Sequence, residues 1–194
     1  MMERTASIKR DTKETRIALT LSLDGTGSAD IDTGIGFFDH MLDGFARHGF
    51  FDLSVKVDGD LFVDGHHTVE DTGIVLGQAI AEAVGDKKGI KRYGYFLLPM
   101  DDALVACAVD LCGRPYFDYE FNVPMIGGLD TQLIREFFYA VSYSAGMNLH
   151  IKVLDGINGH HVAEAMSKAF SKALDMAVSN EPRLDGVLST KGSL

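Results

Sequence analysis

The chain spells His66-His67-Thr68-Val69-Glu70, and later His160-His161-Val162-Ala163-Glu164. Imidazole and carboxylate together are metal-ligand types. If each string opens a helix, its first histidine and its glutamate stand at i and i+4 and share a face. The second histidine is turned about 100° away. One string therefore sends His66 and Glu70 to one ion and His67 to another, and the same holds for His160, Glu164 and His161. Two copies suit two equivalent sites. A donor set without thiolate favours Mn, Fe or Zn over Ca or Mg. Two open positions on an octahedral ion would leave room for a substrate. One copy alone is a weak signal, since paired histidines at a helix start are often capping or solvated residues. The duplication carries the reading.

The elements around the strings repeat as well. "LSVKVDGDLFVDGHH" matches "LHIKVLDGINGHH" with two residues deleted from the second copy, setting Leu53, Lys56 and Val57 on Leu149, Lys152 and Val153. Upstream, "FFDHMLDGFARHGFFDL" falls without a gap on "LIREFFYAVSYSAGMNL", and His40 lands opposite Glu136. Alternation of Ile17, Leu19, Leu21 and Leu23 predicts a half-buried strand. A shorter strand near 28–32, a helix over 36–48, a strand at 51–57 and a helix over 67–84 follow. The second half reads as strands 103–111 and 115–121, helix 131–145, strand 149–154 and helix 161–178. The expected class is α+β: two ββαβα units in a pseudo-two-fold relation, with helices on one face of mixed sheets. The halves run about 1–90 and 91–180 within one catalytic domain of 1–194, and 181–194 is a tail that contacts substrate. Neither half looks self-sufficient, so packing of half on half and of chain on chain is expected. The candidate ligands are then His40, His66, His67 and Glu70 from one half, and Glu136, His160, His161 and Glu164 from the other.

The formal net charge is -10, and no block of five like charges occurs. Phosphate backbones and anionic membranes both demand a Lys/Arg excess, so nucleic acid and membrane partners are not expected. A phosphorylated ligand needs a locally basic pocket. Arg92 (beside Lys91), Arg114, and Ser189 with Thr190 and Lys191 could build one, although each alone reads as a solvated group. Glu14 and Asp102 precede the first expected strand of each half, as acid/base carboxylates or surface charges. His48 reads as surface or structural, and His150 as a support for a metal ligand. Cys107 and Cys112 lie too close in one extended run to bridge easily, and read as reduced thiols. With no apolar leader and no window near the roughly 18 apolar residues of a span, a reducing cytoplasm is the expected compartment.

With "GFFDHML", "DGHHTVEDTGIVLGQA", "VDLCGRPYF", "GMNLHIKVLDGINGHHVAEAMSKAFSKAL" and "LSTKG", the chain resembles the imidazoleglycerol-phosphate dehydratases, hydro-lyases of histidine biosynthesis, over nearly its whole length. The resemblance implies a duplicated ββαβα fold, two Mn2+ per active site, and trimers assembled into a 24-subunit shell with sites between subunits. It implies His40, His66, His67, Glu70, His160, His161 and Glu164 as ligands. Where the family string is often "EHFF", this chain has "REFF", which puts Glu136 at the eighth ligand position. It further implies a phosphate pocket of Arg92, Arg114, Ser189 and Lys191, and Glu14 near the substrate. In the implied reaction the substrate ring lies as imidazolate between two metal ions. The hydroxyl next to the ring departs, and a carboxylate, Glu14 or Glu164, takes the neighbouring C–H proton. Two other readings of the same residues remain: a dinuclear hydrolase with ions roughly 3.5–4 Å apart, and a metal-storage assembly that needs no anion pocket.

Overall fold

The computed structural model describes residues 4–121 and 125–194. Its order is β1 (Thr5–Asp11), β2 (Thr15–Ser22), β3 (Ala29–Asp32), α1 (Gly36–Gly49), β4 (Asp52–Gly59) and α2 (His66–Val84). There follow β5 (Tyr93–Met100), β6 (Ala103–Asp110), β7 (Tyr116–Glu120), a small hairpin of β8 (Met125–Ile126) and β9 (Leu129–Asp130), α3 (Gln132–Ala145), β10 (Asn148–Asp155) and α4 (Gly159–Val178). The two large sheets have matching orders, β1-β2-β4-β3 and β5-β6-β10-β7. In each, the third strand of its half pairs parallel to the last, because the helix between them crosses back over the sheet. The duplicated ββαβα pattern is thus present, preceded in each half by one further strand at the sheet edge. These edge strands, β1 and β5, have a weak sequence signal. TASIKRD buries only Ala6 fully. YGYFLLPM is apolar on both faces and contains Pro99, which an edge strand tolerates.

Each sheet turns one face to the helices. Leu19, Leu21, Leu53 and Val55 bury that face in the first sheet; Val105, Val109, Leu149 and Ile151 do so in the second. The helices form the layer between, and they pair across the halves: α1 packs on α4, and α2 on α3. Rings link the halves along this layer, as Phe51–Phe45–Phe170–Phe138–Phe137–Phe38 stand in successive contact at 5.1 to 5.7 Å between centroids. Each such buried side chain is worth about 1.5–3 kcal/mol. Glycine lets α2 approach α3. A Cβ at Gly73 would stand 2.7 Å from the Phe137 carbonyl oxygen, and one at Gly77 would stand 2.7 Å from that of Val141. Both cysteines are free and buried. Burial pushes the Cys107 thiol far up from its ordinary value.

Candidate active site

Both histidine strings open helices. The Asp64 carboxylate accepts the His66 N–H at 2.7 Å before α2. The Asn158 side chain accepts from the His160 N–H (2.9 Å) and the His161 N–H before α4. Helical spacing then brings His66 Nε2 to 3.2 Å from Glu70 Oε2, and His160 Nε2 to 3.3 Å from Glu164 Oε2. The adjacent rings stand nearly perpendicular, at 85° for His66/His67 and 89° for His160/His161. The second histidine of each string therefore faces elsewhere, as the 100° step requires.

The crossed packing completes one cluster. Because α1 lies on α4, His40 Nε2 comes to 3.4 Å from Glu164 Oε2. His40, His160 and Glu164 offer three donor atoms, all within 4.8 Å of one another, the one such group among the described residues. Phe37 stands edge-on to the His160 ring at 5.0 Å. Burial of Glu164 works against its charge, yet hydrogen bonds from Lys168 and His40 outweigh it and hold the carboxyl below its ordinary range. Lys168 Nζ lies 2.7 Å from Glu164 Oε1. The sequence reading missed Lys168, although a Glu–Lys pair at i, i+4 could have flagged it. The corresponding pair across α2 and α3 is looser. Glu136 accepts from Arg135 Nη1 at 2.8 Å and does not close a three-donor group with His66 and Glu70.

His67 and His161 each meet a carboxylate at Nδ1: Asp60 at 3.0 Å and Asp102 at 2.5 Å. These hydrogen bonds raise both imidazoles above their ordinary value. A carboxylate at Nδ1 fixes the ring and leaves Nε2 as the donor, the arrangement usual for histidine ligands. Nε2 faces Glu14 at 3.9 Å in His67 and Asp101 at 3.6 Å in His161. Asp102 also accepts the Ile157 and Asn158 N–H groups, and these bonds hold its carboxyl well below the usual carboxylate range. It is thus a support for His161 and its loop. The supports come from unlike places, Asp60 after β4 and Asp102 between β5 and β6, so no repeat alignment finds both. His150, expected as a support, faces Asp118 and Tyr116 on the far side of the second sheet instead. Strand alternation sends Leu149 and Ile151 toward the helices and His150 away. His48 is exposed.

Arg92, Arg114, Ser189, Thr190 and Lys191 converge on one open cavity of about 640 Å³, part of whose lining is the tail. Arg92 is held firmly there. Its Nε and Nη2 donate to Asp110 at 2.7 and 3.0 Å, and Nη1 donates to the Leu188 carbonyl at 2.8 Å. The Arg92 N–H donates to the Ala177 carbonyl, at the end of α4 remote from Glu164. At 1.5 Å per residue these points lie about 20 Å apart along the helix.

A family model described as imidazoleglycerol-phosphate dehydratase matches residues 33–174. The chain belongs to that family. Imidazoleglycerol-phosphate dehydratases of Lachnoclostridium phytofermentans and Acetivibrio thermocellus are 65% and 55% identical to it, with complete coverage of both partners in each case. Among solved structures, the Pyrococcus furiosus imidazoleglycerol-phosphate dehydratase in complex with (S)-C348 superposes with a TM-score of 0.85 at 36% identity, covering 96% of this chain and 100% of that one. The Staphylococcus aureus dehydratase gives 0.82 at 38% identity, covering 91% and 99%. The protein is accordingly a hydro-lyase with imidazoleglycerol-phosphate dehydratase activity, a step of histidine biosynthesis. No helix among the described residues is long and apolar enough to cross a membrane.

Proposed function

We propose that the chain converts D-erythro-imidazoleglycerol phosphate to imidazoleacetol phosphate and water with two divalent ions, Mn2+ in first place and Fe or Zn as substitutes. The observation that carries this is the His40–His160–Glu164 group, three hard or borderline donors with no thiolate. His66 and Glu70 would begin the other centre, with Glu136 near it on α3. His67 and His161, aimed outward by Asp60 and Asp102, would each add a ligand. When bound, the ions would hold the substrate ring as imidazolate and thereby favour departure of the hydroxyl beside the ring. Glu164 is already engaged by His40, His160 and Lys168. Glu14 is more exposed and touches His67 only loosely, so we assign it the C–H proton. Arg92, Arg114, Ser189 and Lys191 would bind the phosphate.

A substrate this small does not span the roughly 20 Å between the donor group and the anion cavity. That separation supports an active site completed by another copy of the chain. The loops before the two histidine strings support it too, because they expose Phe62 at 91% and Ile157 at 92%. A 24-subunit shell of trimers, with the enzyme in the cytoplasm, is the form we propose. The test is turnover by purified protein with Mn2+ and imidazoleglycerol phosphate, with native mass measured in parallel. Full metal occupancy without enol or ketone product would overturn the mechanism, and an active monomer would overturn the shared site.

A further inference from the structure

We propose that Asp71 is a positioning residue which, with Arg10 and Thr15, holds Glu14 in place against His67. The inference rests on the reading of Glu14 as the proton carrier. Asp71 lies one residue past Glu70 on α2 and is only 7% exposed. It accepts from Thr15 Oγ1 at 2.5 Å and forms an ion pair with Arg10 Nη2 at 2.9 Å. Both donors flank the turn from Thr12 to Thr15 that joins β1 to β2. Within the turn, Thr12 Oγ1 accepts the Glu14 N–H (3.1 Å) and the Thr15 N–H (2.9 Å). The Glu14 carbonyl accepts the N–H of Asp60 at 3.1 Å, and the Asp60 carboxylate holds His67. Glu14 is thereby tied on both sides to the helix turn that carries His66, His67 and Glu70.

The second half supplies an internal control. Ile17 pairs with Arg10, and its counterpart Val105 pairs with Leu98. Thr15 and Ala103 begin the matching strands, and Asp71 corresponds to Ala165 after the second histidine string. The set Arg10, Thr15 and Asp71 is therefore Leu98, Ala103 and Ala165 in the other half, all buried and apolar. The same architecture packs without any charge at these positions. The Arg10 side chain is 36% exposed, where an ion pair contributes little to stability, so stability alone does not explain this one. It occurs in the half whose hairpin presents Glu14.

The test uses the Mn2+-loaded enzyme, with kcat, KM, metal content and Tm measured together. Thr15→Val, which keeps the shape and removes the donor, should lower kcat by about 10- to 100-fold at unchanged KM and metal content, the scale of a 1 Å misplacement. Thr15→Ser should restore it. Combined with Glu14→Gln, Thr15→Val should add no further loss. A second variant borrows the other half's residues: Arg10→Leu, Thr15→Ala and Asp71→Ala together should keep or raise Tm while kcat falls. Wild-type kcat in either folded variant, or losses that multiply with that of Glu14→Gln, would overturn the positioning role. Full activity of Glu14→Gln alone would instead remove the underlying reading of Glu14.

Discussion

Gly73→Ala tests whether close contact of α2 with α3 sets the second metal centre proposed above. The added methyl would stand 2.7 Å from the Phe137 carbonyl oxygen and 2.9 Å from the Ala140 Cβ. Comfortable separations are about 3.5–4.0 Å, so the helices must part by roughly 0.5–1 Å. Overpacking of this kind costs about 1–3 kcal/mol. Alanine returns about 1 kcal/mol through helix propensity. The net is a loss of about 0–2 kcal/mol, or a Tm lower by at most about 8 °C in a chain of this size. The functional effect should be larger than the thermal one. Glu136 precedes Phe137 on α3, and His66 and Glu70 stand on α2, so the gap opens between candidate ligands. A shift near 1 Å corresponds to about 100-fold in kcat. Gly44→Ala is the control, because a Cβ there meets nothing within 4 Å; it should raise stability by up to about 1 kcal/mol and leave turnover alone. The assay is thermal unfolding and steady-state turnover of Mn2+-loaded enzyme. A Gly73→Ala protein with raised Tm and parental kcat would refute the reasoning.

Asp60→Asn and Asp102→Asn should each weaken Mn2+ binding by about 10- to 100-fold, read by titration of metal-free protein, because each removes the charge behind a histidine. Arg92→Lys keeps the charge but gives up the paired bonds to Asp110 and the bond to the Leu188 carbonyl. It should raise KM for the phosphorylated substrate and make the tail after residue 184 more sensitive to protease. Cys107 should resist alkylation at pH 8 in native protein and react at once in denaturant, since burial keeps the thiol protonated.

The histidine strings, their helices and the cluster residue His40 were legible because each follows from local periodicity or from the repeat. The i, i+4 spacing fixed which histidine would meet its glutamate, and the 100° step fixed which would not. The gathering of Arg92, Arg114, Ser189 and Lys191 on one cavity was legible as a set of residue types, since cations and hydroxyls are conspicuous in an acidic chain. What escaped depends on contacts between distant segments. Asp60 and Lys168 acquire meaning only from what stands opposite them in the folded chain. Arg10, Thr15 and Asp71 are ordinary residues until β1, β2 and α2 are placed together. The pairing of α1 with α4 and α2 with α3 also left no local trace, because an apolar helix face does not record which neighbour will cover it. β1 and β5 escaped for a different reason: TASIKRD buries only Ala6 fully and YGYFLLPM is apolar on both faces, so neither shows the alternation of a half-buried strand.

That crossed pairing bears on how such a molecule could arise. A half-length chain would carry a first helix whose covering surface belongs to a second helix of another copy. Two identical copies would satisfy each other reciprocally about a two-fold axis. Joining them through the segment 85–92 keeps the geometry and ends the identity, since each position now exists twice and the two can change separately. Arg10, Thr15 and Asp71 opposite Leu98, Ala103 and Ala165 are that freedom in use: one frame, written twice, carrying charge at one set of positions and only apolar groups at the other.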